Sequence, residues 1–483
     1  MSIGAKGWLR TQMRRLVPLA VAAAAVATPS HLRAETMNEA LASSYKVNPR
    51  LDAARATQRA TDEEVPRALS GYRPTVTGNA DTSFERNTTR PPSVLNGDTN
   101  PRGYNVQLVQ PLFQGFRTVN DVSESEATVR AGRETLRSVE QSVLLEAVTA
   151  YMDVVRDQAI VRLRENNVTV LTRDLRATQD RFNVGEVTRT DVAQAQARRA
   201  AAVSALDLAK SNLQTSRATY ERVIGHPPSN LVEPKPSGQV PKTLENSSEI
   251  SARENPAVVA ALYREQAARH AIERIRADLL PSAQFTATYQ KRFDESVGID
   301  AQETMALTGR LTVPFYTGGE VEARVRQAKH THVGRLQEIE QARTEVLAQV
   351  VAAWSQLIAA RAQLESDQAS VDANRIALAG VREEERVGQR TLLDVLNAEQ
   401  ELLNSEVNLV TTKRNLVVAS YNVLSTIGRL NAQELGVSSL VYDPEQHYLQ
   451  VRGKWGDVNI THSDGRRETL SAPPPAGGYK PAK

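Results

Sequence analysis

The stretches "RFNVGEVTRTDVAQAQ" (residues 181–196) and "EERVGQRTLLDVLNAEQ" (residues 384–400) say nearly the same thing twice in one chain. With Gly185 set on Gly388, Val184 falls on Val387, Thr188 on Thr391, Asp191 on Asp394, Val192 on Val395 and Ala195 on Ala398, at an offset of 203 residues. Each stretch interrupts long Pro-free sequence with a single glycine, the residue that a helix-ending left-handed turn favours. Each therefore reads as the tip of a helical hairpin, with Asp191 expected to cap the returning helix.

Working outward, the same offset sets Pro111 and Gly115 on Pro314 and Gly318, and Ile224-Gly225 on Ile427-Gly428. Nearer the start the offset becomes 207, which matches Asn48-Pro49 with Asn255-Pro256 and Pro74 with Pro281. Residues 35–225 and 245–428 thus read as two tandem copies of one unit. Each copy predicts a first helix (about 35–69 and 245–279), a strand pair (about 74–113 and 281–315) and a long helical hairpin. The tips are expected at about 183–191 and 386–394, and the first returning helix at 191–224.

Steps of three and four from Val143 through Ala147, Ala150, Val154, Asp157, Val161 and Arg164 to Phe182 are mostly apolar. The shifted copy runs from Val346 through Val350, Ala353 and Leu357 to Glu385 in the same manner. Such sustained spacing is a coiled-coil seam. A second stripe, Leu144, Val148, Tyr151 and Val155, gives the first long helix neighbours on two sides. About 67 residues at 1.5 Å each span roughly 100 Å.

The strand regions alternate with period two. Ala283, Phe285, Ala287 and Tyr289 alternate with Ser282, Gln284, Thr286 and Thr288, and Met305, Leu307, Leu311 and Val313 with Thr304, Thr308, Arg310 and Thr312. Tyr104, Val106 and Leu108 continue the pattern, and Val76, Ala80 and Phe84 carry it more faintly. Strands of about 10 residues, apolar on one face and hydroxylated on the other, fit a membrane barrel with lipid outside and water within. A soluble pair of hairpins over a helical layer has the same alternation. Four strands alone leave open edges, which a membrane does not permit.

Only 5% of the 483 residues are aromatic, so the core is thin and rich in Ala, Val and Leu. Lys6, Arg10, Arg14 and Arg15 precede the apolar run "LVPLAVAAAAVAT" (16–28), with Ala34 as a cleavage residue, which predicts a secretory signal peptide over 1–34. Without it, 54 basic residues face 56 acidic ones, and no clustered basic face points to nucleic acid. The absence of cysteine suits an oxidising compartment. Residues 226–244 form a Pro-rich linker, and 429–460 lie outside the duplication; both are placed around the middle of the molecule, ahead of a disordered tail at the C-terminus.

Together, the tip motifs, the doubled Asn-Pro, Pro and Gly layout and the signal sequence resemble the TolC-type outer-membrane efflux and secretion channels, over roughly residues 35–430. The resemblance implies a membrane α+β fold: a homotrimer whose protomers each give four strands to a 12-stranded barrel, continued into a periplasmic α-helical barrel. It implies an exit duct of a tripartite efflux pump or type I secretion system, passing drugs or proteins outward through the outer membrane. The partners implied are a periplasmic adaptor, an inner-membrane transporter of RND or ABC type, and outer-membrane lipid.

Residue by residue, Val184, Gly185, Val387 and Gly388 match the positions that meet the adaptor. The next residues depart, being Glu186 and Gln389 in place of Leu and Thr. Arg390 matches the arginine that clamps the closed tunnel against a Thr-Asp pair, here Thr190 and Asp191. Glu385 stands where that gate usually has Tyr, and Asp394 and Asn397 where two carboxylate rings line the entrance, the second here an amide.

No phosphate loop, nucleophile elbow or recognisable acid pair argues for an enzyme, and no cofactor is implied. The pair His330 and His332 points to different helix faces, so no metal site is expected. The competing reading is a periplasmic coiled-coil adaptor, which shares the long hairpins but not the four amphipathic strands.

Overall fold

The computed structural model describes residues 34–88, 90–91, 96–436, 441–461 and 467–468; the expected signal sequence and most of the C-terminal tail lie outside the described residues. From the N-terminal side come helices α1 (Met37–Val47), α2 (Pro49–Asp62) and α3 (Glu64–Leu69), then strands β1 (Thr75–Thr82), β2 (Glu85–Asn87), β3 (Gly97–Thr99) and β4 (Arg102–Gln114). The long helix α4 (Arg117–Asn183) and its return α5 (Arg189–Ile224) follow. The order then recurs with α6 (Leu244–Glu254), α7 (Pro256–Arg276), β5 (Ser282–Ser296), β6 (Ile299–Thr312), α8 (Glu320–Arg386) and α9 (Leu392–Thr426). A short helix α10 (Pro444–Val451) and a small pair β7 (Ile460–Thr461) and β8 (Arg467–Glu468) close the described chain.

The first helix of each half is not continuous as expected; it breaks at Asn48-Pro49 and at Asn255-Pro256. Proline cannot donate its N–H and pushes the preceding residue out of the helical region, and Asn48 accordingly has ψ 118° and Asn255 ψ 125°. Each Asn Oδ1 then accepts the N–H two residues on, while its Nδ2 donates to the carbonyl of Val223 (3.0 Å) or Thr426 (2.8 Å). The break therefore ties α1–α2 to the end of α5, and α6–α7 to the end of α9.

The two longest helices each have 67 residues. On α4 the seam Val143, Ala147, Ala150 and Val154 is buried, as are Val346, Val350, Ala353 and Leu357 on α8. Two acids interrupt the seams. Asp157 accepts from Ser216 of α5, and Asp367 from Thr412 of α9 at 2.6 Å. A buried polar pair of this kind fixes register, because any slip leaves the carboxylate without its donor. Packing is deepest at mid-height, where Leu41, Leu51, Leu144, Tyr151, Tyr220, Ile224, Leu424 and Ile427 are fully buried. Toward the tips it thins to a separate cluster of Leu171, Ala202 and Leu396.

The strands make an open antiparallel sheet in the order β1-β4-β5-β6, so one chain closes no barrel. In register, Val76, Leu108, Ala287 and Leu307 form one row, and Gly78, Val106, Tyr289 and Met305 the next. The opposite face has rows of Val109, Thr286 and Thr308, and of Thr77, Gln107 and Thr288. Beyond the expected strands, β2 and β3 extend the first loop as a hairpin, held by a two-pronged Arg86–Asp98 pair at 2.7 Å. No described helix is long and apolar enough to cross a membrane.

The linker crosses the helices at mid-height: Val232 N–H donates to the Glu35 carbonyl, and Ser237 N–H to Ser420 Oγ. The C-terminal segment does not stay there. Tyr442 N–H bonds the Tyr45 hydroxyl, but farther on Arg73, just before β1, donates to the Lys454 carbonyl and stacks on Trp455 at 4.8 Å. Arginine stacking on Tyr442, Tyr448 and Trp455 draws this segment toward the base of the sheet.

Candidate functional site

The two hairpin tips carry the residues that the sequence marked out as expected gate, pore-ring and adaptor-contact positions. At the apex Gly185 has φ +82° and Gly388 φ +80°, so a Cβ there meets strain although nothing crowds it. Val184 and Val387 stand beside them, 72% and 67% exposed, as apolar residues at the end of a charged helix. The helices return through capping boxes, and the caps are Thr188 and Thr391, not Asp191. Thr188 Oγ1 accepts from Asp191 N–H at 3.3 Å while Asp191 Oδ2 takes the Thr188 N–H and hydroxyl at 2.8 Å; Thr391 and Asp394 repeat this. The helices begin two residues early because the hydroxyl at N-cap and the carboxylate at N3 satisfy each other's backbone.

The backbone donation from Thr188, followed by its hydroxyl, holds the Asp191 carboxyl below the usual carboxylate range. The same two donations from Thr391 lower Asp394, with Arg390 adding a smaller electrostatic push. Both acids stay charged at neutral pH.

Of the residues expected to form a gate, Arg390 and Glu385 sit in two separate pairs within the chain. Arg390 Nε donates to Glu384 of its own hairpin at 2.8 Å, and neither Thr190 nor Asp191 is its partner here. Glu385 instead accepts from Arg181 of the first hairpin at 2.7 Å, and Arg181 also reaches Glu186 at 3.3 Å. Asn397 accepts from Arg198 of α5 at 2.7 Å. Arg181 and Arg198 thus join the hairpins, and sequence reading missed both because each looks like one more solvated charge on a helix surface.

Higher up the hairpins stand three further charged groups that the sequence did not single out. Arg382 of α8 donates to Glu399 of α9, and Glu399 lies within hydrogen-bonding reach of Asp174 on α4. His332, one of the two histidines, bonds Glu265 at 2.6 Å and links α7 to α8, and the described residues contain no group fit to hold a metal.

The profile of the family described as "Outer membrane efflux protein" matches residues 39–226 and 248–429. The outer membrane efflux protein BepC of Brucella suis is 37% identical over 89% of this chain and 93% of its own. The alkaline protease secretion protein AprF of Pseudomonas aeruginosa is 27% identical over 62% of this chain and 63% of its own. Among solved structures, the CmeC outer membrane channel of Campylobacter jejuni superposes with a TM-score of 0.74 at 17% identity, over 86% of this chain and 89% of CmeC. These relatives are channel and secretion proteins rather than enzymes, and CmeC shares the fold. The chain belongs to the outer membrane efflux protein family: it is an exit duct of the outer membrane whose helices reach into the periplasm.

Proposed function

We propose that three copies of the chain close a single 12-stranded barrel, continued by six helical hairpins into a periplasmic tunnel. The observation that carries this reading is the apolar row running across all four strands to two free edges, β1 and β6. Unpaired backbone groups are not tolerated in hydrocarbon, so a sheet with a lipid-facing side must find partners at both edges. Phe285, Tyr289, Leu307 and Leu311 then meet lipid, and Thr308 meets water. The two 35–225 and 245–428 copies give the tunnel wall nearly sixfold symmetry.

At the periplasmic mouth, Arg390 exchanges Glu384 for Thr190 and Asp191 of a neighbouring hairpin when the tunnel shuts, and Glu385 stays with Arg181. Asp394 forms an acidic ring and Asn397 a neutral one. The exposed Val184-Gly185 and Val387-Gly388 apices receive a periplasmic adaptor, which couples the duct to an RND or ABC transporter of the inner membrane. A drug or a secreted protein is the cargo.

The test is the mass of the detergent-solubilised protein together with planar-bilayer recording. The reading expects three chains per particle and a cation-selective pore that Asp394→Asn makes less selective. A monomer that inserts no conductance returns the choice to the soluble adaptor.

A further inference from the structure

We propose that Asp174 and Glu399 share one proton, and that this proton latches the first hairpin to the second just above the tip, engaged in acid and released in alkali. Asp174 lies eleven residues before Gly185 and Glu399 eleven after Gly388, which puts both about 16 Å above the apex on facing helices. Glu399 is 7% exposed. Its Oε1 takes the Arg382 guanidinium, but Glu399 Oε2 and Asp174 Oδ2 are buried and no donor reaches either.

One hydrogen gives both neighbouring side chains a partner: Glu399 as the acid donates O–H to the Asp174 carboxylate. Loss of that proton leaves two carboxylates, each with one buried oxygen, against a single guanidinium, and they repel. Leu171 and Leu396, about one turn before the two acids, are buried in a cluster with Ala202.

The surrounding charges do not supply the missing donor. From α8, Arg382 is on Glu399 and Glu385 is held by Arg181; from α5, Arg198 is on Asn397 and Arg199 on Thr172. Burial raises the carboxyls of both Asp174 and Glu399, Arg382 offsets this in part, and Glu399 is raised further by the charge of Asp174. A raised pKa means that the protonated, latched state is stabilised in acid, and that the hold is lost as pH climbs through the raised value. Arg181 and Arg198 join the same two hairpins through Glu385 and Asn397, nearer the apex than the carboxyl pair.

The chain has no cysteine, so spin labels at Ala177→Cys and Glu401→Cys report the spacing of α4 and α9 in the full-length protein without background. The expected result is a spacing that lengthens as pH rises from about 5 to about 9, across the range of a raised carboxyl. Glu399→Gln donates an amide hydrogen without titrating, so its spacing is expected to stay short throughout. Asp174→Asn serves as the second variant should the first fail to fold. A constant spacing in the unmutated pair, or the same pH response in both amide variants, overturns the latch. Its consequence for ion flow rests on the exit-duct reading: a spacing change that leaves the bilayer conductance untouched upholds the latch and overturns the assignment of the tips as the gate.

Discussion

Helices α4 and α8 have the same length and the same spacing of apolar residues, yet nineteen residues of α4 are buried against ten of α8. The contrast is sharpest in the second stripe. Leu144 and Val148 are fully buried, whereas their counterparts Leu347 and Val351 are 49% and 41% exposed. The first long helix packs extensively against α5, α7 and α9 and carries α1 to α3 on its flank, while the second packs mainly against α6, α7 and α9. A repeated pattern thus has its partner inside the chain in one copy and lacks it in the other. The exposed stripe of α8 belongs with the open edges of the sheet, as the second half of the surface that the proposed trimer would cover.

The largest expected effect tests this contrast directly. Leu144→Ala is expected to destabilise the fold by about 2–5 kcal/mol, whereas Leu347→Ala leaves the chain's own helix content intact and weakens association; thermal melts and particle mass separate the two. Equal losses of helix in both break the comparison. Next comes the sheet. Leu307→Lys is expected to cost about 2–4 kcal/mol near the bilayer midplane, and Thr308→Lys little, measured as the yield of assembled protein in outer membranes. Equal tolerance of the two would reverse the faces.

Smaller effects belong to the tips. Thr188→Ala and Thr391→Ala each remove a cap worth about 1 kcal/mol, and amide exchange is expected to rise in the first turn of α5 or α9. Because Asp191 and Asp394 have lowered pKa values, their share of the cap is present at neutral pH and lost as pH falls through those values, below the ordinary carboxylate range. The smallest is Arg390→Ala, which removes a single solvent-exposed ion pair with Glu384. It is expected to widen single-channel conductance, with little further gain from adding Asp191→Ala; an unchanged conductance in both removes this arginine from the gate.

Much of the architecture was legible in the sequence, because backbone needs repeat wherever the backbone repeats. The glycines at 185 and 388 and the Asn-Pro breaks are each required by local geometry, whereas the Thr-x-x-Asp boxes were read with Asp191 as the cap. The breaks were seen as matching landmarks but read as helix interior, since their meaning lies in the distant carbonyls of Val223 and Thr426. Charges were the illegible part. Arg181, Arg198, Asp174 and Glu399 sit among evenly mixed charges, and only the packing of one hairpin on another decides which are shielded. A faint signal existed: the counterparts of Asp174 and Glu399 in the other copy are Ala377 and Gln196, so each acid departs from its repeat.

The Asn48 and Asn255 joints have a mechanical meaning. Each fixes the far end of a returning helix, and α5, at 36 residues, is an arm about 54 Å long. Every degree of rotation at that pivot therefore sweeps the apex through about 1 Å. Bonds at the apex act with the full length of the arm, so the torque needed to break them is large although each is weak. A few contacts such as Arg181 with Glu385 suffice there, where the same contacts beside the pivot resist almost nothing. An actuator pushing at the apex needs little force to turn the arm once those contacts yield.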